Sequence, residues 1–373
     1  MAAHPEPCES TENCITTLDI VNEAPNKPII SEVPPVTSPE KKIVADLGKY
    51  IETCYYGNET APSERRPIFN QDVGHYRPQL KQDRVNRIIL YPGCFNPPHR
   101  GHQAMINCAF SCSQDIDVIA AIVVPVGTTY SENLSKKFEK DVWFTRAQRV
   151  QLWRGDNGPH DWLWVYDRGS GEWEYFRNHL ETAIKTDGFS FEFIYLGGPD
   201  HIGRNYCKYN IWDCDNMLVS DIGREADFVG EDETLLRIGL HGDWKPILYP
   251  NNKPHPLEAV REMAPWLRSS LSLAMLGQES NDRWIAELLQ REYIRMIAGM
   301  RICWNKLNEG SWVRFIPASH GVMHMSSTDI RYIIKTCPPD ELLKKLKRKA
   351  LRPELLVQWV RESKHCNTAP PAL

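Results

Sequence analysis

The absences in this chain narrow its function first. It lacks an excess of positive charge: among 373 residues, 44 Lys and Arg stand against 48 Asp and Glu, a formal net charge of −4. A surface made for nucleic acid is expected to be basic, so no nucleic-acid partner is expected. No apolar run is long enough to span a bilayer, so no membrane partner is expected either. The first residues, "MAAHPEPCESTENC", have neither the basic start nor the apolar centre of an export signal, which implies a protein that is not secreted. The 11 cysteines are odd in number and follow no framework spacing. Reduced thiols, in the cytoplasm and/or the nucleus, are the simpler expectation. Cys108 and Cys112 lie one helical turn apart, but two further ligands at metal spacing are missing, so no protein metal site is expected. No internal repeat is visible.

What remains is ordinary globular composition, with 42% hydrophobic and 25% charged residues, in a length that suits one large domain or two smaller ones. Residues 1–45 are rich in Pro, Glu, Ser, Thr and Asn, as in "EVPPVTSPEKK". They cannot bury enough apolar area to order themselves, so a disordered tail is expected. Residues 46–85 suggest a linker or wrapping segment, with one short amphipathic piece in "DLGKYIETCYYG". Residues 86–363 carry the main pattern, and 364–373 form a C-terminal tail.

From residue 86 onward strands alternate with helices. "RIILY" is a short buried strand, "GHQAMINCAFSC" has helical spacing, and "DVIAAIVVPV" is an unbroken apolar run, as for a strand covered on both faces. The alternation continues through "DVWFTRAQRVQLWR", "WLWVYD", "EWEYFRNHLETAIK" and "FEFIYLGG". "MLVSD" and "ADFVG" suggest a further helix end and a strand. "WVRFIPA" and "STDIRYIIKT" give a last strand and helix. This rhythm predicts an α/β fold: a Rossmann-like, doubly wound parallel sheet. Residues 240–310 break it with two long helical patterns, "LEAVREMAPWLRSSLSLAML" and "NDRWIAELLQREYIRMIAGMRICWNKL", which predict a helical insertion.

The string "YPGCFNPPHRGHQAM" follows the first of these strands, where open parallel sheets bind ligands. Gly93 lets the chain turn off the strand and lets a ligand approach the backbone. Pro97 and Pro98 fix the loop. His99 and His102 share a face if a helix starts there, and Gly101 removes a side chain beside it. A helix N-terminus adds free N–H groups and partial positive charge, so the whole is suited to phosphate. The plain alternative is a loop with solvated or core histidines. Far along the chain, "MSSTDIR" offers Ser326, Ser327 and Thr328 as cap residues and Arg331 one turn in. An ordinary helix cap is the alternative there.

The two strings resemble the HxGH and SSTxIR signatures of the nucleotidyltransferase superfamily. The chain resembles in particular the eukaryotic type of nicotinamide- or nicotinate-mononucleotide adenylyltransferase. "VVPVGTTYSENLSKKF" with "RAQRVQLW", "YLGGPDHI", "IWDCDNMLVSDIG" (like the family's next helix) and "ALRPELLVQWVRES" match that family in order, over roughly residues 86–236 and 312–363. The resemblance implies transfer of AMP from ATP to a mononucleotide phosphate with release of pyrophosphate. ATP and the mononucleotide are then the partners, with Mg²⁺ carried by ATP. It implies that His99 and His102 contact the ATP phosphates, with His102 acting in the transition state. It further implies a nucleotide site of Gly93, Phe95, Asn96, His99, His102, Lys137 (or its neighbour Lys136), Gly198, Asp200, Ser326, Ser327, Thr328 and Arg331. Trp173 lies where the family carries a tryptophan that stacks on the acceptor ring, and is the substrate-binding candidate. With 12 tryptophans in the chain, core packing is the alternative.

Two features depart from the family. Its arginine after the strand that follows the GGxD loop is replaced by "ADFVGEDE", with Gly230 and Glu231 in that region. The insertion is also extra; it could cap the site, form a homo-oligomer or read another acceptor. A cytidylyltransferase acting on a phosphorylated alcohol, and a nucleotide-binding relative without turnover, are the competing expectations. A class I aminoacyl-tRNA synthetase shares the HxGH loop but needs more length and more positive charge. "KKLKRK", residues 344–349, is either a solvated helix face or a nuclear address.

Overall fold

The computed structural model describes residues 43–57, 60–69, 76–127, 142–155, 161–203, 206–207, 211–248, 291, 294–318 and 325–366. In chain order the elements are β1 (Val44–Asp46), α1 (Leu47–Tyr56), β2 (Gln79–Lys81), β3 (Val85–Gly93), α2 (Arg100–Ser111), β4 (Val118–Pro125), α3 (Arg146–Arg154), β5 (Leu163–Val165), α4 (Ser170–Thr186), β6 (Ser190–Gly197), β7 (Ile202–Gly203), β8 (Tyr206–Cys207), β9 (Asn216–Ser220), β10 (Lys245–Pro246), β11 (Arg301–Trp304), β12 (Trp312–Ile316), α5 (Ser327–Thr336), α6 (Leu342–Leu346) and α7 (Pro353–Cys366).

Eight strands form one sheet in the order β10-β11-β12-β9-β6-β3-β4-β5. The run from β12 to β5 is parallel, and β10 and β11 add an antiparallel edge. The molecule is therefore mixed α/β with a mostly parallel sheet, in keeping with the expected class. Numbered along the chain, the parallel strands run 3-2-1-4-5-6, the dinucleotide-fold order, and the order reverses between β3 and β6.

Strand alternation explains the layers. Ile88 and Leu90 point to one face, where they join Ile51 and Tyr55 of α1 and Trp173, Phe176 and Leu180 of α4. Ile89 and Tyr91 point to the other, against Met105, Ala109 and Phe110 of α2. All residues of β4 are buried, as its unbroken apolar run predicted. A third cluster joins Phe144 and Leu152 to Ile330 and Ile334 of α5, Leu346 of α6 and Leu356 of α7. It seats the late helices against α3, near the end of β3. Opposite the carboxyl ends, Arg314 of β12 and Asp115 form a buried bidentate pair at 3.0 and 2.9 Å, with a further bond to the Cys112 carbonyl at 2.8 Å.

Several local expectations are corrected. "MLVSD" is strand β9, not a helix end. Its residues Asn216–Ser220 are buried between β6 and β12, and a short run covered on both faces shows no period to distinguish it. "ADFVG" is a turn, closed by the Val229 N–H on the Ala226 carbonyl at 3.1 Å. "RICW", inside the second long helical pattern, is β11; its Cys303 is fully buried and pairs with Val313. The first long pattern lies outside the described residues, and of the second only residues 291 and 294–307 lie within them. The piece in "DLGKYIETCYYG" is α1, capped by Asp46 and packed through Leu47, Ile51 and Tyr55. In "KKLKRK", Leu346 is buried while Lys344, Lys345, Lys347 and Arg348 face solvent. Among the described residues no helix is long and apolar enough to cross a membrane.

Candidate phosphate site

A cavity of about 320 Å³ opens at the carboxyl ends of β3 and β6, where the strand order reverses. Gly93, Phe95, Asn96, His99, His102, Gly198, Asp200, Ser326, Ser327, Thr328 and Arg331 all line it. The two distant strings thus meet in one place.

The loop is shaped by close contacts. A Cβ on Gly93 would lie 2.6 Å from the Phe95 ring, so only glycine lets that ring fold back. Phe95 sits at φ +45°, an uncommon region for a bulky side chain. Its buried ring meets Tyr91 at 5.0 Å, His102 at 5.0 Å and Trp153 at 5.2 Å, all edge-on. Phe95 is therefore the wall behind His102.

His99 caps α2. Its Nδ1 accepts from the His102 N–H at 3.3 Å, and the His102 Nδ1 accepts from the His99 N–H at 3.2 Å. The rings stack at 3.5 Å between centroids. A Cβ on Gly101 would stand 3.0 Å from the His99 Nδ1, so glycine makes room for this reciprocal cap. An Nδ1 that accepts carries no proton, which assigns the ring N–H to the distal Nε2 in both histidines. Burial reinforces the neutral form. It lowers the pKa of His99 from 6.5 to about 4, against the smaller upward pull of Asp329. It lowers that of His102 well below its usual value, helped by the neighbouring His99 and by the charge of Arg224. The pair offers two uncharged donors.

At the second string, Ser326 caps α5, accepting from the Asp329 N–H at 3.1 Å while Asp329 accepts from the Ser326 N–H at 3.3 Å. The Ser327 hydroxyl donates to the Pro97 carbonyl at 2.8 Å. Buried Arg331 donates to the Asn96 carbonyl at 2.6 Å and to Thr328 Oγ1 at 3.1 Å. In this structure both side chains lock the helix to the loop; Arg331 still contributes its charge and α5 its N-terminal N–H groups. Asn96 is likewise a tie. Its buried amide donates to the Val142 carbonyl at 3.0 Å and accepts from the Phe144 N–H at 2.9 Å.

The end of β6 supplies the opposite wall. Gly197 leaves space for Tyr195, whose ring a Cβ would meet at 2.6 Å. Asp200 projects at the mouth and pairs with Arg224 at 2.9 Å.

Not every expected residue arrives. Lys137 and Lys136 lie outside the described residues. Trp173 does not line the cavity. It is 3% exposed and enclosed by Tyr166, Phe176, Phe193 and Trp212, which makes it a core residue of the α4 layer. Other residues were missed. After the Gly197–Asp200 loop the next strand of the main sheet is β9, and Arg224, which follows it, lines the cavity. Gly230 and Glu231 lie further along, at the turn after Ala226, and do not line this cavity. His201 also lines the cavity, its Nδ1 3.3 Å from the Tyr195 hydroxyl. Arg149, fully buried, donates to the Phe144 carbonyl at 3.1 Å, to the Val126 carbonyl at 2.8 Å and to the Cys94 carbonyl. It joins the ends of β3 and β4 to the start of α3. The quoted string "RAQRVQLW" contains it, but only its burial beside Val150 and Trp153 sets it apart.

A second cavity of about 650 Å³ shares Gly223 with the first and is lined by Trp244, Phe315, Thr234, Arg295 and Arg301 among others. The arrangement can hold a polyanion between neutral imidazole donors, a helix start and arginine charge. It has room for an organic group alongside. No protein-family model matches the chain, and no curated protein matches it.

Proposed function

We propose that the chain is a nucleotidyltransferase that transfers AMP from ATP to the phosphate of a nicotinamide or nicotinate mononucleotide, releasing pyrophosphate. One observation carries the reading: the His99–His102 helix start and the Ser326–Arg331 helix start line the same cavity at the reversal of the sheet. The acceptor phosphate is itself the nucleophile in this chemistry, so the protein's work is alignment and charge stabilisation. The Nε2–H groups of His99 and His102 donate to phosphate oxygens, and His102 bears on the charge that develops as the α–β bond breaks. The N-terminal N–H groups of α5 hold the outer phosphates, while Arg331 keeps α5 and the loop in register. The second cavity gives a nucleoside a place beside the polyphosphate. Mg²⁺ would arrive with ATP; the exposed Asp200 carboxylate at the cavity suits an ion that keeps several waters, and the ion would neutralise phosphate charge. A helical insertion between β10 and β11, a homo-oligomer built on it, and a cytoplasmic or nuclear setting belong to the same proposal.

The core position of Trp173 favours a second reading of the acceptor, because the expected stacking partner of a nicotinamide ring is absent from the cavity wall. The same chemistry would then act on another phosphorylated acceptor, as in cytidylyl transfer to a phosphorylated alcohol. The test is a panel of phosphorylated acceptors with ATP or CTP and Mg²⁺, assayed for pyrophosphate release. The expected result is turnover with ATP and a pyridine mononucleotide, reduced on the order of a hundredfold by His102→Ala. Greater turnover with CTP and a phosphorylated alcohol would select the second reading. Binding of ATP without pyrophosphate release across the panel would favour a non-catalytic relative.

A further inference from the structure

The end of β6 brings a third imidazole to the cavity. His201 closes a single turn after the strand, its N–H donating to the Gly198 carbonyl at 3.1 Å, and its half-buried ring lines the cavity beside Tyr195. Tyr195 is buried, and the two rings meet edge-on at 5.5 Å between centroids. The Tyr195 hydroxyl lies 3.3 Å from the His201 Nδ1. A buried phenol needs a hydrogen-bond partner, so this contact fixes the direction of the imidazole. With Nδ1 turned to Tyr195, the ring presents Nε2 to a ligand. Gly197 makes room for the pair: a Cβ there would stand 2.6 Å from the Tyr195 ring and 3.4 Å from the His201 ring.

The position of this ring decides which group it can meet. In-line transfer puts the attacking oxygen on the side of the phosphorus away from the departing pyrophosphate. In the proposed reaction the departing phosphates lie at the starts of α2 and α5, and the end of β6 forms the wall opposite them. The acceptor phosphate therefore arrives at the β6 wall. A phosphate monoester carries about two negative charges at neutral pH and approaches a polyphosphate of the same sign, so a donor on that wall offsets the repulsion. We propose that His201, oriented by Tyr195, donates to the phosphate of the acceptor and sets the affinity for that substrate, whereas His99 and His102 serve ATP. Tyr195 is a positioning residue, acting through the ring. The inference rests on the nucleotidyltransferase reading and adds a residue outside the HxGH and SSTxIR strings.

The test is calorimetric titration of the full chain, first with a non-hydrolysable ATP analogue and then, on the loaded protein, with nicotinamide mononucleotide. It does not depend on turnover, and retained binding of the analogue shows that a variant is folded. His201→Ala is expected to weaken mononucleotide binding tenfold or more while leaving the analogue within about twofold. His201→Gln, whose side-chain amide nitrogen takes the place of Nε2, is expected to recover most of the loss. Tyr195→Phe is expected to weaken the mononucleotide several-fold and the analogue little, because the ring loses its orientation. Mononucleotide binding unchanged by His201→Ala would overturn the proposal and leave the acceptor reading standing. An equal loss for both ligands would reduce the effect to a general disturbance of the cavity and overturn the division of roles. A loss in His201→Gln as large as in His201→Ala would overturn the donor role. Failure of the unaltered, analogue-loaded protein to bind the mononucleotide would overturn the acceptor reading and this assignment with it.

Discussion

His99 shows how one side chain can be both structure and chemistry. It closes the start of α2 through Nδ1, and the same bond leaves Nε2–H as its donor. Its pKa of about 4 has a consequence for stability. The folded value lies below the ordinary 6.5, so the unfolded chain binds the proton more readily. Stability is fully present above pH 6.5 and is lost as pH falls toward about 4. His99→Asn keeps a good cap acceptor and removes the titrating ring. Thermal melts of the free protein are expected to lose stability across that window, and the variant to lose less. Equal pH dependence in both would show that other groups dominate. Much at this scale was legible in the sequence: the histidines, Ser326 and Thr328 all line the cavity. The roles of Asn96 and Arg331 were not, because each is fixed by a partner far along the chain. Ser327 and Pro97, bonded at 2.8 Å, are 230 residues apart. Arg149 and Arg224 were illegible for a related reason. An arginine in a helical or loop string is solvated by default, and only the fold shows one buried among three carbonyls and the other at a cavity mouth.

At the scale of the element, helix α2 sets propensity against site geometry. Gly101 lies in its first turn, where Ala is the better helix former by up to about 1 kcal/mol. Yet an added Cβ would stand 3.0 Å from the His99 Nδ1, so the ring must move by a few tenths of an ångström. Gly101→Ala is therefore expected to keep or raise the melting temperature while reducing turnover several-fold. Full turnover in that variant would mean that the placement of His99 is not critical. The elements themselves were readable where their period was clear. α1, α4 and α5 have apolar stripes, and β4 is an unbroken apolar run. β9 and β11 were misread because short segments of four or five residues carry too little pattern to outweigh their surroundings.

For the whole molecule, the strand order determines where chemistry can sit. With the order reversing between β3 and β6, the carboxyl ends of those strands diverge and leave a crevice. The third apolar cluster then carries α5 to the same crevice, through Ile330 and Ile334 packed on Phe144 and Leu152. The alternation of strands and helices in the sequence indicated the class of sheet, but it held no information on the edge formed by β10 and β11, whose pairing arises from contacts across the sheet. The central claim is that two remote helix starts enclose one polyphosphate. It is tested most directly by a crystal structure of the protein with a non-hydrolysable ATP analogue. The expected density places the phosphates between the His99 and His102 rings and the first turn of α5, within hydrogen-bonding distance of both. Triphosphate bound at any other place on the molecule, with that cavity empty, would contradict the account.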